Sequence, residues 1–341
     1  MSVTDEKIVC GHPRRTKNAY SHFFLIFLSV CAYIIVAMLF QLAAILVTRE
    51  CFPQLFDSAL YDNVLSAISL YVVGLPVAAV IMLFAEARAP EKKTDFTFVK
   101  WIGCFCVAVS MLEAGNIMGE LVTSLLGTIP GVEPMDAVDE IIGEMPVWAS
   151  VLLSVVLAPT VEEFIFRKLM IDRAAMFGGR RAIFVSALCF GLMHGNFSQF
   201  FYAFFLGLLF GYVYEKTGRL IYTITLHAAV NLVFGVISGA LAGSLSGFFD
   251  AEPTTAEEMS ALYSRYATPI ALSSLFGIFT VVAAIVGIVV FAKNIGKLKF
   301  DAAAYPLSPR EAAVSVWANA GAIVFYAICG FLFASSLIEI V

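Results

Sequence analysis

The chain has 341 residues, of which 60% are hydrophobic, 13% aromatic and only 14% charged, with a net charge of −5 and a mean hydropathy of +0.90. A soluble domain is roughly half apolar and a quarter charged, so this composition indicates a chain embedded in a bilayer. It excludes a nucleic-acid binder, a disordered chain and a disulfide-stapled secreted domain.

A bilayer core of about 30 Å takes roughly 20 apolar residues as a helix. Nine stretches qualify as candidate spans: 20–47, 64–85, 101–126, 148–171, 182–194, 199–215, 220–245, 268–292 and 313–338. The fifth and sixth are short, are separated by Gly195-Asn196-Phe197-Ser198, and can form one hairpin whose turn sits within the membrane. The first stretch, at about 27 residues, is too long for the apolar core of a signal peptide and predicts an anchor. The expected fold is all-α: a polytopic transmembrane helix bundle of about nine spans.

Positive charges prefer cytoplasmic loops. With the N-terminus inside, Lys7, Arg14, Arg15 and Lys17 precede span one, and Arg88, Lys92, Lys93 and Lys100 fall between spans two and three. Arg167, Lys168, Arg173, Arg180 and Arg181 cluster at the inner end of span four, Lys216 and Arg219 lie between six and seven, and Lys293, Lys297, Lys299 and Arg310 lie between eight and nine. That puts 19 of the 21 Lys and Arg inside, leaving Arg49 and Arg265 outside. The outer loops carry acids instead: Glu133, Asp136, Asp139, Glu140 and Glu144 in one, Asp250, Glu252, Glu257 and Glu258 in another. The alternation predicts an N-in, C-out topology in a cytoplasmic membrane, bacterial by best fit. The seven Cys fall mostly within spans, form no CxxC, and read as small apolar core residues. Trp101, Trp148 and Tyr214, near span ends, read as interfacial anchors.

An ionisable side chain within a span costs at least about 2.5–3.5 kcal/mol on insertion scales, so each is a functional-site hypothesis. Span three carries Glu113, Asn116 and Glu120 on one stripe; Glu113 reads equally well as a cavity wall or as a bond to a neighbour. Span four carries Glu162, Glu163 and Arg167; Glu163 and Arg167 are four apart and share a helix face, whereas Glu162 points about 100° away. Pro159, one turn earlier, removes a backbone bond beside the acids. Phe190 and His194 are also four apart, as are His227 and Asn231. Counted inward from Arg173, Arg181 and Arg219 at 1.5 Å per residue, Glu162, His194, His227 and Asn231 lie about 16, 20, 12 and 18 Å deep. Four residues far apart in sequence therefore share one layer.

A carboxylate, two imidazoles and a carboxamide in a shielded cavity suit hydrolysis of an acyl bond: Glu162 with His194 to deprotonate water, His227 and Asn231 to donate to the oxyanion. The same residues allow a metal reading, in which Glu162, His194 and His227 form a three-ligand catalytic zinc site, although no HExxH is present. Polar residues buried only as inter-helix glue gain an average of about 0.6 kcal/mol, a weak reason to bury two adjacent acids.

The runs Glu162-Glu163-x-x-x-Arg167, Phe190-x-x-x-His194 and His227-x-x-x-Asn231 together resemble the three signature motifs of the CPBP family, the CAAX-protease and bacteriocin-processing (Abi) membrane proteins that include the type II CAAX prenyl endopeptidases. The resemblance covers residues 148–245. It implies an intramembrane endopeptidase, open to the cytosol, in which Glu162 activates water with His194, His227 and Asn231 form the oxyanion hole, and Glu163 and Arg167 support. It implies a catalytic four-helix core at 148–245; beyond its reach, the span pattern gives a three-span accessory region at 1–147 and an outer loop with two spans at 246–341. The partners it implies are a protein or peptide substrate and lipid; prenylated substrates belong to its eukaryotic members. The rival readings are an ion-coupled transporter, against which no related halves are found, and a non-catalytic immunity or chaperone protein.

Overall fold

The structure is a computed structural model that describes residues 13–55, 58–90, 94–132 and 146–337. Lys7, His12, Lys92, Lys93 and the acids Glu133, Asp136, Asp139, Glu140 and Glu144 lie outside the described residues. Within them the fold is all-helical and holds no strand. In lipid every backbone polar group must be satisfied within its own segment, which a helix achieves.

The elements are α1 (Pro13–Cys51), α2 (Leu60–Leu83), α3 (Phe98–Leu126), α4 (Val147–Phe177), α5 (Gly179–Leu192), α6 (Phe197–Thr217), α7 (Leu220–Phe249), α8 (Ala256–Arg265), α9 (Ala267–Asn294), α10 (Pro309–Trp317) and α11 (Ala320–Ser335). Seven of these are long and apolar enough to cross a bilayer, and the pair α10–α11, bent by 56°, makes an eighth. The bend centres on the buried Asn319, whose Nδ2 donates to the Ser315 and Val316 carbonyls, each at 3.0 Å, while its Oδ1 accepts from the Ala322 amide at 2.9 Å. The expected stretch 182–194 falls in α5, which has 14 residues, short of the roughly 20 a full crossing takes. It runs back along α6 as a hairpin: Gly207 sits on Ala187 and Gly211 on Ile183. Such a hairpin enters and leaves by the same face, so the charge alternation is indifferent to how far it penetrates.

Helices in lipid gain little from hydrophobic exclusion and approach closely where side chains are small. A Cβ at Gly115 of α3 would fall inside contact distance of the Tyr202 backbone on α6, and one at Gly119 would lie 2.9 Å from the Ser198 carbonyl. Gly287 places α9 against the Cys106 backbone of α3 in the same way. The larger core gathers Phe23, Ile26 and Phe27 of α1, Phe166 and Met170 of α4, Phe190 of α5 and Phe325 of α11. A smaller one joins Leu112 of α3, Phe210 of α6, and Leu226 and Val230 of α7. Tyr214, expected as an interfacial anchor, is instead 1% exposed and donates its hydroxyl to Asp172 Oδ1 at 2.8 Å; a phenol with a carboxylate within reach is better satisfied inside than in the headgroups.

The 246–267 loop contains α8, which the sequence reading passed over although Thr255-x-x-Glu258 carries the signature of a capping box. Both halves form: Thr255 Oγ1 accepts from the Glu258 amide at 3.2 Å, and Glu258 Oε2 accepts from the Thr255 amide at 3.2 Å. The Thr254 amide and hydroxyl bind the same carboxylate and, with Thr255, hold it below its usual range.

Gly115→Leu should force α3 from α6 at a cost on the order of 1–3 kcal/mol, the usual penalty for overpacking, and lower the thermal midpoint of the protein in micelles. Gly243→Ala, with nothing within 4 Å of its Cβ position, should leave the midpoint where it is. An unmoved midpoint in Gly115→Leu would contradict the close contact.

Candidate active site

The site is built outward from a buried ion pair. Glu163 Oε2 and Arg167 Nε lie 2.9 Å apart on α4, both fully buried, as the four-residue spacing predicts. Arg167 Nη1 donates to Ser186 Oγ at 3.4 Å, and that hydroxyl donates to the Phe166 carbonyl at 2.7 Å. Its Cζ sits 4.9 Å from the centroid of the Phe190 ring and 5.8 Å from that of Phe210. Ring faces carry partial negative charge, so two of them stabilise a guanidinium removed from water. Removing Arg167 would leave a carboxylate without its guanidinium countercharge in a dry core.

The other oxygen of Glu163 reaches across to α7. Oε1 lies 3.1 Å from His227 Nδ1. A carboxylate only accepts, so Nδ1 carries the proton and the imidazole turns Nε2 toward the cavity. That nitrogen lies 3.8 Å from Glu162 Oε2. The two adjacent acids thus have different surroundings: the Glu163 side chain is wholly buried, while 24% of the Glu162 side chain is exposed, toward the cavity. The 100° rotation between neighbouring helical residues is the cause.

His194 lies within the α5–α6 turn. Its Nδ1 lies 2.9 Å from the Phe190 carbonyl, which makes Nδ1 the donor and leaves Nε2 as the acceptor facing the cavity. Asn196 organises the turn: it accepts from the Gln199 amide at 2.9 Å and donates to the His194 carbonyl at 2.9 Å. Gly195, with φ of +70°, supplies the left-handed residue such a reversal needs. Phe190 meets His194 edge-to-face at 5.1 Å, the contact its spacing predicts, and His227 at 5.7 Å. One ring therefore buttresses both imidazoles and the guanidinium.

Asn231 depends on a defect in α4. Residues 151–157 form π-helical turns, which bond each carbonyl to the amide five residues on. Five on from Ser154 is Pro159, which has no N–H. The Ser154 carbonyl takes its hydrogen bond from Asn231 Nδ2 instead, at 2.8 Å. The expected loss of a backbone bond at Pro159 is thus met by the carboxamide of another helix, and the amide keeps a second N–H.

Glu162, His194, His227 and Asn231 line one cavity of about 600 Å³ between α3, α4, α6, α7 and α9. Glu113 and Asn116 line it as well, whereas Glu120 is exposed and stands apart. Sequence reasoning missed Ser154 and Gln199 in this wall. It also missed Tyr33 and Tyr71, which lie within electrostatic reach of Glu162. A tyrosine inside an apolar run was the available signal; no signal marks a backbone carbonyl. Among the described residues, no three His, Cys, Asp or Glu side chains gather closely enough to hold a metal ion. Glu162, His194 and His227, the three ligands of the zinc reading, are not gathered in that way: His227 Nε2 is 3.8 Å from Glu162 Oε2, and His194 forms no hydrogen bond or ion pair with either.

Arg167→Met should cut folded yield sharply, because breaking a buried pair from one side costs about 3–5 kcal/mol. Glu163→Gln in the same chain should restore much of the yield, and size-exclusion recovery from micelles measures both. Equal recovery of Arg167→Met and the wild type would show that the pair carries no such weight.

The family model described as type II CAAX prenyl endopeptidase Rce1-like matches residues 144–233. Neither the curated proteins nor the solved structures gave a match. All seven motif residues, from Glu162 to Asn231, fall inside the matched segment; Glu113 and Asn116 fall outside it. The apolar helices make the chain an integral, multi-pass membrane protein. Residues 144–233 are thus similar to the type II CAAX prenyl endopeptidases, which supports the CAAX-protease resemblance carried by the three motifs.

Proposed function

We propose that the cavity hydrolyses a peptide bond in a membrane-associated or cytosol-facing protein or peptide, with residues 148–245 as the catalytic core. The observation that carries this reading is the convergence of Glu162, His194, His227 and Asn231, from α4, the α5–α6 turn and α7, on one wall of a shielded cavity. Glu162 accepts a proton from water, which His194 Nε2 aligns by accepting its other hydrogen. The hydroxide adds to the scissile carbonyl carbon, and the carbonyl oxygen becomes an oxyanion. The second N–H of Asn231 and His227 Nε2–H are its donors. With Nδ1–H committed to Glu163, His227 donates from Nε2 as the imidazolium, flanked by two carboxylates of opposite charge. Collapse of the tetrahedral species breaks the C–N bond, and Glu162 returns its proton to the departing amine.

The basic loops support an N-in orientation, with this layer in the cytoplasmic half of a bacterial inner membrane. Every step uses protein side chains and water.

Glu162→Gln, His194→Ala and His227→Ala should each lower cleavage of an internally quenched peptide by about 100-fold or more, the usual weight of a general acid–base group, while eluting as monodisperse protein. Full activity in all three would refute the reading. Cleavage should also survive dialysis against a chelator; loss that zinc restores would place a metal in the site.

A further inference from the structure

Glu113 takes no part in the chemistry proposed above. It lies in the middle of α3, thirteen residues past Lys100 and so about 20 Å along the helix, the depth expected of His194. It lines the cavity on the α3 wall, with Asn116 one turn further on. The cavity lining holds two carboxylates, Glu113 and Glu162, and no Lys or Arg. Glu162 faces His227. Glu113 has no ion pair or hydrogen bond among the described residues, and its charged neighbour there is another acid, Glu120. A carboxylate at membrane depth is costly to insert and is normally matched by a cation within the protein. Here no matching cation is found among the described residues, and the space beside the carboxylate is open.

The remaining wall is mostly apolar: Leu112, Leu206, Val230, Phe234, Phe276 and Val281. Apolar surroundings with a single unmatched charge select for one group of opposite sign in an otherwise apolar ligand. We propose that Glu113 is a specificity-determining residue that receives the cationic side chain of a Lys or Arg in the substrate, with Asn116 as its neutral hydrogen-bonding neighbour. The substrate segment is then an apolar stretch interrupted by one basic residue close to the scissile bond. The inference rests on the hydrolytic reading only in calling the ligand a substrate; the binding site itself stands on the cavity.

The test uses the full chain in micelles with Glu162→Gln to stop turnover, and labelled apolar peptides that carry Lys or norleucine at each internal position in turn. At one position the Lys peptide should bind about tenfold more tightly than its norleucine twin, the effect of one charge-assisted hydrogen bond. Adding Glu113→Gln should shrink that gap to within about twofold, and Glu113→Lys should turn the preference toward a Glu peptide. Equal binding of Lys and norleucine peptides at every position overturns the proposal, as does binding of neither, or a Lys preference that survives Glu113→Gln. Cleavage by wild-type protein is scored separately. Selective binding without cleavage would sink the hydrolytic reading and leave the Glu113 site standing; cleavage indifferent to Lys would do the reverse.

Discussion

The site depends on one carboxylate held where water cannot reach it. Glu163 binds Arg167 through one oxygen and His227 through the other. A buried charge without partners is expensive, and two charges together are tolerable only when geometry is good and remaining polar atoms are met. Arg167 supplies the countercharge, and Phe190 and Phe210 give the guanidinium faces in place of water. The cation is thus a structural requirement of the acid, and the acid is what fixes the ring of His227. Glu162, one residue earlier, is left free to work because its neighbour absorbs the arginine.

Backbone irregularity brings the rest into position. Helix α4 contains two runs of π-helical turns, at Val151–Leu157 and Phe164–Ile171, on either side of the two acids, and α7 has another starting at Asn231. Such turns are rare, occur often at functional sites, and leave carbonyls without their usual amides. Pro159 converts one such vacancy into a tie between α4 and α7. The close glycine contacts of α3 with α6 and α9 hold the opposite wall. Rigid scaffolding of this kind suits a site whose polar groups come from separate helices and must keep their mutual distances.

Much of this was legible in the sequence where the signal is local. Apolar length reported most of the crossing helices, and four-residue spacing reported the Glu163–Arg167 pair and the edge-to-face contact of Phe190 with His194. Depth counted from basic residues placed four polar side chains in one layer, and all four line one cavity. What spacing cannot carry is pairing between helices: Glu163 and His227 are 64 residues apart, and either acid was a candidate partner. The π register, which decides that the Ser154 carbonyl is the vacant one, is a product of packing rather than of composition. Tyr214 was misplaced for the same reason: its partner Asp172 lies on another helix.

The proton on His227 bears most directly on this account. The chain has four histidines, so ¹⁵N labelling of histidine in the full-length protein, with His227→Gln to assign the signal, reads both ring nitrogens by NMR. The account predicts a protonated Nδ1, held by Glu163 whether or not Nε2 is also protonated. An unprotonated Nδ1 would break the link from the buried ion pair to the oxyanion donor and contradict the mechanism built on it.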